Sequence, residues 1–335
     1  MKGVHSTTWR TIAVGTVIML AAFGLGWFVK GQRDMVVQPQ SLRLSGYAFI
    51  DPLLACNINN SNAYAQNKLL SKELQSIIDT NKNNGTISKA SVYFVNFKTG
   101  AWANVYGTAQ FYPSSLGKIP LMIAYYQEAE SDPSILDKQL TYPVGSTDLN
   151  QMQDIAPPQA IVPGRSYTVE ELIEYMIKYS DNNATALLDA NIEADTLNRV
   201  YGDLGIPSEE NVNINNADFA AAHQVSTMFR VLYNATYLSR SDSEKALQLL
   251  SQVSFTQGIV AGVASSTVVS HKLGLVGIAP GGVTTEHELH DCGIVYAPSP
   301  YLICVMTRGA GSLPTMESVI AQLSKVAYQS AESGS

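Results

Sequence analysis

The sequence has little of what builds metal centres or nucleic-acid interfaces. Its 335 residues include three cysteines and five histidines, and these do not form the closely spaced pairs that bind zinc. Lysine and arginine number 21 against 28 aspartates and glutamates, so the net charge is −7, and no basic patch stands out. The composition therefore predicts no metal, no other cofactor and no nucleic-acid partner.

The few cysteines leave the disulfide pairing open. Cys292 and Cys304 flank a proline-rich turn. If Tyr296 pairs with Tyr301, Cys292 lies opposite the residue that follows Cys304, and the two thiols point to opposite faces of the sheet. This register disfavours a bond between them. Cys56 could pair with either, and three free thiols are equally compatible with the sequence.

One long hydrophobic run is present, over residues 11–29 between Arg10 and Lys30. Its 19 uncharged residues are about enough to span a bilayer as a helix, and no small-x-small cleavage site follows it. Positive charge is similar on both sides of the run, so the positive-inside rule does not fix its orientation. The predicted organisation is a short N-terminal segment, a single-pass anchor, a linker and a globular domain, over residues 1–10, 11–29, 30–45 and 46–335.

Hydrophobic periodicity predicts the elements of the globular domain. Helices are expected at 62–80, 115–130, 168–179, 184–190, 224–237, 243–251 and 315–328, and strands at 91–97, 102–106, 266–273, 289–296 and 301–307. This order favours a mixed α/β fold of the α+β type. One antiparallel five-stranded sheet is built from both chain ends, with the terminal helices on one face. The inserted helical block forms a second lobe, and the functional groups meet between the lobes.

Three short motifs stand in one order: Ser115-Leu116-Gly117-Lys118, Ser180-Asp181-Asn182 and Lys272-Leu273-Gly274. A Ser-x-x-Lys pair at a helix start places hydroxyl and amine one turn apart on the same face. The amine can take the hydroxyl proton if burial or a neighbouring cation lowers its pKa. The motifs therefore predict a serine nucleophile that works without histidine. A literal Lys-Thr-Gly at residues 98–100 precedes the nucleophile at a predicted hairpin tip and is interpreted as a decoy.

These motifs and their surroundings resemble the class A β-lactamase and DD-peptidase superfamily. The resemblance spans about residues 47–328. Besides the motifs, it rests on residues 111–120, 167–172, 179–184 and 289–296. It implies a class A β-lactamase-like fold and a domain outside the cytoplasm, where the substrates of such enzymes lie. With that orientation, residues 1–10 would be a cytoplasmic N-terminus.

The resemblance implies a role for each motif residue. Ser115 would be acylated, and Lys118 would be its base or relay its proton. Ser180, assisted by Lys272, would pass a proton to the leaving nitrogen. Asn182 would bind the substrate's amide, and Asp181 would be structural. Gly274 and Leu275 would line the substrate site, and the backbone N–H groups of Ser115 and Leu275 would form an oxyanion hole.

Two departures concern the wall that would bind a substrate carboxylate. Leu273 stands where the superfamily usually has threonine or serine. His271, Lys272 or Thr285 are possible replacements for the missing hydroxyl. The strand that follows offers two histidines, at positions 287 and 290, in place of an arginine, and both are interpreted as structural residues of the strand.

A third departure concerns deacylation. Class A β-lactamases use a glutamate in a Glu-x-x-Leu-Asn pattern on an Ω-shaped loop, and Glu209 begins a near match to it. The loop is short and lacks the usual preceding arginine. Glu209 is therefore a candidate for the deacylation base, and the alternative is that it is a solvated charge on the loop.

The predicted function is a class A β-lactamase-like serine hydrolase that acts through a Ser115 acyl-enzyme. Its substrate would be a β-lactam or a peptidoglycan stem peptide ending in D-Ala-D-Ala. Two alternatives stay open: a penicillin-binding DD-carboxypeptidase without efficient β-lactam turnover, and a sensor or binding module that is acylated without turnover. Membrane contact would be through residues 11–29.

Overall fold

The computed structural model describes residues 19, 41–56, 64–207, 218–279 and 282–333. All of these except Met19 belong to one compact unit. The predicted anchor, apart from Met19, and Glu209 lie outside the described residues. Within the described part of the chain, no helix combines the length and apolar character that a bilayer span requires.

Five strands form the central sheet, in the order β4-β3-β11-β10-β9 with every neighbouring pair antiparallel. The strands of the described residues are β1 (Ser41–Arg43), β2 (Leu53–Cys56), β3 (Lys89–Asn96), β4 (Trp102–Val105), β5 (Gln110–Phe111), β6 (Gln139–Thr141), β7 (Ser166–Thr168), β8 (Ala220–Ala221), β9 (Val269–Ile278), β10 (Glu286–Val295) and β11 (Tyr301–Gly309). The predicted five-stranded antiparallel sheet is confirmed. β3 and β4 come from the N-terminal part of the domain and the other three strands from its C-terminal part.

Eight α-helices surround this sheet within the described residues. They are α1 (Lys68–Asn83), α2 (Lys118–Ala129), α3 (Val169–Lys178), α4 (Asn182–Asp189), α5 (Ala194–Leu204), α6 (Ala222–Tyr233), α7 (Arg240–Leu250) and α8 (Leu313–Ser333). The first and last pack together on one face of the sheet, as predicted, and α6 packs on the other. The remaining helices complete the inserted lobe.

Each sheet face covers its own hydrophobic core. Leu74 and Ile78 of α1 join Ile320 and Leu323 of α8 against Val305 and its neighbours on one face. On the opposite face, Met306 joins the large cluster of the helical lobe. Because both faces are covered, β11 is buried along nearly its whole length, which explains its almost continuous apolar sequence.

Some elements were not predicted. Helix α5 is absent from the predicted elements, and so are the two-stranded pairs β5–β8 and β6–β7. These strands have only two or three residues each, too few for a period-2 pattern to be read. β9 extends five residues beyond its predicted end, so the third motif lies inside the strand.

The predicted register of the β10–β11 hairpin was wrong. Val295, not Tyr296, is opposite Tyr301, which brings Cys292 directly opposite Cys304, and these two cysteines form a disulfide. The N–H of Tyr296 donates to the carbonyl of Val268, which continues the register of β10 with β9 on its other side. A shift of one residue exchanges the faces of a strand, and it thereby puts both thiols on one face.

Candidate active site

Ser115, the predicted nucleophile, lies in a 3₁₀ turn, Ser114–Gly117, that leads directly into α2. The residue before it is held in the left-handed region, with φ of 52° at Ser114, a conformation that costs free energy outside glycine. Ser114 Oγ compensates by donating a 2.7 Å hydrogen bond to the carbonyl of Leu275 in β9. The turn is therefore fastened to the strand that carries the third motif.

Lys118 is the first residue of α2, and its side chain is buried beneath the turn. Its Nζ donates to Ser180 O at 2.7 Å, to Asn182 Oδ1 at 2.8 Å and to Ser180 Oγ at 3.1 Å. Burial lowers the pKa of Lys118 well below that of an ordinary lysine, and the positive charge of Lys272 lowers it further, while Asp181 opposes the shift. A lowered pKa lets this amine act as a base near neutral pH.

Ser180, in the second motif, contacts residues of the other two motifs through its hydroxyl oxygen. It lies between α3 and α4 with φ of 60°, which aims its hydroxyl into the cleft between the lobes. Its Oγ donates to Ser115 Oγ at 3.2 Å and accepts from Lys272 Nζ at 2.9 Å. Together with the bond from Lys118, this hydroxyl is in contact with Ser115 and with both lysines.

Lys272 projects from β9 into the site and is almost wholly buried. Burial lowers the pKa of Lys272 to about 7, and the carboxylate of Asp291 partly opposes that change. The side chain therefore releases its proton more readily than an ordinary lysine. It can stabilise charge or exchange a proton with Ser180 without a large free-energy cost.

Asp181 supports the second motif from below. It caps α4, and its Oδ1 accepts from Asn183 N at 2.8 Å and Asn150 Nδ2 at 2.8 Å. Its Oδ2 accepts from Ile161 N at 2.7 Å. Fully buried and surrounded by donors, this carboxylate holds Ser180 and Asn182 on either side of it.

The site opens into a cleft of about 1110 Å³ between the lobes. Its lining includes Ser115, Lys118, Ser180, Asn182 and Lys272, and also Leu273 and Leu275. The structure thus brings the predicted residues of all three motifs together. Position 274 has room only for glycine, because a Cβ there would lie 2.7 Å from the carbonyl oxygen of Pro113.

The residues predicted to replace the missing hydroxyl at Leu273 do not lie in the cleft, apart from Lys272. His271 points to the other face of the sheet, where its Nδ1 is 2.8 Å from Asp291 Oδ1. Thr285 turns its hydroxyl to the carbonyl of Ile278 at 3.4 Å. Since side chains alternate along β9, residue 271 cannot share the face of Lys272.

The two histidines of β10 have separate surroundings. His287 is partly exposed, and its Nε2 lies 3.7 Å from Asp154 Oδ2 at the rim of the cleft. His290 is fully buried, and its Nε2 lies 3.1 Å from the carbonyl oxygen of Tyr112.

Two further residues of the site were not predicted from the sequence. Ser114 carries no signal beyond its position next to the nucleophile. Glu288 is fully buried behind the turn, and its only sequence signal is a charged residue inside a strand that is otherwise covered on both faces.

The Lys-Thr-Gly at residues 98–100 forms the turn between β3 and β4 and does not line the cleft. In the described ranges, no group of three or more His, Cys, Asp or Glu side chains is placed to hold a metal ion.

Comparison with known proteins gives a family match and similar folds. The model of a family described as the beta-lactamase enzyme family matches residues 68–331. Among solved structures, PBP-A is similar at 22% identity and a TM-score of 0.65, over 81% of this chain and 98% of that one. A beta-lactamase from Sphaerobacter thermophilus DSM 20745 is similar at 19% identity and a TM-score of 0.64, over 78% and 97%.

An acyl-enzyme complex of a PBP-A mutant with penicillin G is also similar, at 21% identity and a TM-score of 0.64, over 80% of this chain and 98% of that one. No curated protein matches the sequence. At these identities the structural likeness concerns the fold.

Proposed function

The chain belongs to the beta-lactamase enzyme family of serine hydrolases, and from that premise we propose that it hydrolyses β-lactams through an acyl-enzyme on Ser115. The observation that carries the proposal is the hydroxyl of Ser180, which contacts Ser115 and both buried lysines. The penicillin G acyl-enzyme of a similar fold supports the choice of substrate class.

Acylation begins when Ser115 Oγ attacks the lactam carbonyl and its proton leaves toward Lys118. The lowered pKa of Lys118 favours the neutral amine that this step needs. The backbone N–H groups of Ser115 and Leu275 would receive the negative charge that develops on the carbonyl oxygen. The hydrogen bond between Ser114 and Leu275 keeps the two segments that carry these donors together.

Opening of the lactam requires a proton on the leaving nitrogen. Ser180 is placed to deliver it, and Lys272, with a pKa of about 7, can replace the proton that Ser180 gives up. Asn182 accepts a hydrogen bond from Lys118 through its Oδ1, so its Nδ2 amide hydrogens remain to bind a carbonyl of the substrate side chain. Water then cleaves the Ser115 ester and releases the product.

The DD-carboxypeptidase alternative uses the same acylation steps on a peptide ending in D-Ala-D-Ala. Its support is the similarity to PBP-A and the loop at Glu209, which is short and lacks the arginine that usually precedes the deacylating glutamate. Glu209 is proposed for that role on its sequence pattern alone. Nitrocefin turnover that disappears in Glu209→Gln favours the β-lactamase, and release of D-alanine from a wall-like pentapeptide favours the peptidase. The sensor alternative predicts a stable adduct and no product of either kind.

Intact-mass measurement of the full-length chain with benzylpenicillin tests the proposal, with Ser115→Ala as control. Penicilloic acid that accumulates without a lasting adduct, and only with Ser115 present, is the expected result. A lasting penicilloyl adduct, absent from Ser115→Ala, would instead indicate the peptidase or the sensor. If neither penicilloic acid nor an adduct forms, the β-lactam proposal is contradicted.

For the location, we propose a membrane anchor at residues 11–29 that holds a domain of residues 46–335 outside the cytoplasm. The uncharged apolar run supports the anchor. The Cys292–Cys304 disulfide supports an oxidising compartment. Resistance to alkaline extraction from membranes, lost when residues 1–40 are deleted, is the expected result.

A further inference from the structure

Glu288 of β10 is a fully buried carboxylate that takes no part in the steps above. Its Oε1 accepts from Arg308 Nε at 2.9 Å and from Arg308 Nη2 at 2.5 Å. Its Oε2 accepts the backbone N–H of Tyr112 at 2.9 Å. One oxygen therefore faces the cation, and the other holds the chain that leads to Ser115, three residues further on.

His290 lies two residues along β10 on the same face as Glu288, and it contacts the backbone carbonyl of Tyr112. The N–H of Thr307 donates to His290 Nδ1 at 3.3 Å, so Nδ1 carries no proton. The ring hydrogen is therefore on Nε2, which donates to the carbonyl oxygen of Tyr112 at 3.1 Å. Both backbone polar groups of Tyr112 are thus bound by buried side chains of one strand.

The two residues between Tyr112 and Ser115 are also held in place. Pro113 has a fixed φ, and its carbonyl lies against Gly274, where a Cβ would come within 2.7 Å. Ser114 is fastened to Leu275, and Ser115 follows. The position of Ser115 therefore depends on where β10 holds Tyr112.

The buried charge of Glu288 is compensated by a group of charged side chains nearer the surface. Arg308 also pairs with Asp218, which in turn lies 2.9 Å from Lys89 Nζ. A lone structural ion pair would not need the second carboxylate oxygen directed at the backbone of Tyr112. We infer that Glu288 and His290 are positioning residues, which fix the nucleophile turn through the two backbone groups of Tyr112.

The inference rests on the proposed function, in which Ser115 is the nucleophile. Misplacing a reacting group by about 1 Å can cost about 100-fold in rate. Every described partner that hydrogen-bonds Glu288 is a donor. In Glu288→Gln the new amide N–H₂ must face one of these donors, which pushes away either Tyr112 or Arg308. Glu288→Asp keeps the charge but withdraws the carboxylate by one methylene.

The test measures two reactions of Ser115 in the full-length chain, acylation by benzylpenicillin and labelling by a fluorophosphonate. Glu286→Gln is the matched control, because it makes the same change two residues away at a partly exposed position of β10, where the carboxylate accepts from Ser88 Oγ and does not contact Tyr112. In Glu288→Gln and Glu288→Asp both rate constants of the folded protein should fall about 10- to 100-fold. The noncovalent Kd for penicillin and the midpoint of the pH–rate profile should stay unchanged, because both lysines are untouched. The control should react like the wild type.

Thermal unfolding separates positioning from a structural role. Lower Tm with an unchanged rate constant for the folded fraction would overturn the inference, and so would wild-type rates in both variants. Where Glu288→Gln does not fold, Glu288→Asp decides. If the wild type reacts with the fluorophosphonate but not with penicillin, the β-lactam proposal fails while the positioning test still runs. If neither reagent modifies Ser115, the proposed nucleophile and this inference fail together.

Discussion

The two site lysines have their pKa lowered by burial, and this is the same property that would make them useful in catalysis. Lys272 is buried where a positive charge is poorly solvated, so its pKa drops to about 7. Lys118 is lowered by burial and by the charge of Lys272. A site built in this way is expected to reduce the stability of the fold at neutral pH.

Lys272→Met should therefore stabilise the protein in a pH-dependent way. Between pH 7 and about 10.5, the unfolded state binds a proton on Lys272 that the folded state does not bind, so wild-type stability rises with pH across this window. Methionine has no such proton. The advantage of the variant should grow by about 1.4 kcal/mol for each pH unit as the pH falls from 10 to 7, and level off below 7.

Urea unfolding from pH 6 to 10 measures this difference. Lys325→Met, at an exposed position of α8, is the control and should show no such trend. A stability difference between Lys272→Met and wild type that does not change with pH would refute the assignment of a lowered pKa to Lys272.

The residues of the site were predictable where the chemistry depends on spacing along the chain. Ser115 and Lys118 are one turn apart, and Ser180 and Lys272 belong to short motifs, so all four could be named from the sequence. Glu288 could not, because its partners are a backbone N–H 176 residues away and an arginine on the next strand. No local pattern records such contacts.

At the scale of elements, α3 illustrates how strongly a local signal can define a boundary. Its first turn carries a capping box in which Thr168 Oγ1 accepts from Glu171 N at 3.0 Å and Glu171 Oε2 accepts from Thr168 N at 2.8 Å. The pattern was visible in the sequence, and α3 begins where it predicts. Helix α5 has apolar residues at 197, 200 and 204, but Glu193 gives its start no side-chain cap hydrogen bond.

Thr168→Ala should lower the free energy of unfolding by about 1 kcal/mol, because it removes the acceptor for one orphan N–H of the helix. Chemical denaturation measures this loss. Thr168→Ser, which keeps the hydroxyl, should stay close to wild type. The acylation rate of folded protein should not change, since the cap lies a whole helix away from Ser180. A variant as stable as wild type would show that the cap contributes nothing here.

The β10–β11 hairpin shows what element-scale prediction could not supply. Both strands were predicted, but their register depends on where the turn ends. Beside that turn, the hydroxyl of Tyr296 donates to the carbonyl of Phe49 at 2.9 Å. This is a contact over 247 residues. Because the disulfide depends on this register, the wrong register led the sequence analysis to disfavour the Cys292–Cys304 bond.

At the scale of the whole molecule, the domain is closed by its two ends. α1 and α8 pack together on the sheet, and β3 pairs with β11. α8 buries four large apolar side chains, those of Met316, Val319, Ile320 and Leu323. At about 1.5–3 kcal/mol for each, their loss approaches the 5–15 kcal/mol that typically stabilises a domain.

A chain truncated after Ser312 should therefore fail to fold rather than lose a peripheral helix. Near-UV circular dichroism and gel filtration should show loss of fixed aromatic packing and aggregation. A chain truncated after Ser333 serves as control and should fold normally. Cooperative unfolding of the shorter chain with a native near-UV spectrum would contradict the prediction.

The pairing of β3 with β11 also determines the order of events during biosynthesis. Asn96 finds its partner only when Tyr301 has been synthesised, so more than half of the polypeptide must leave the ribosome while the central sheet is still incomplete. Such long-range pairings fold slowly and leave strand edges exposed in the meantime. Until β11 has been made, the nascent chain lacks its complete central sheet, and an incompletely folded chain is what a translocation channel for unfolded polypeptides requires.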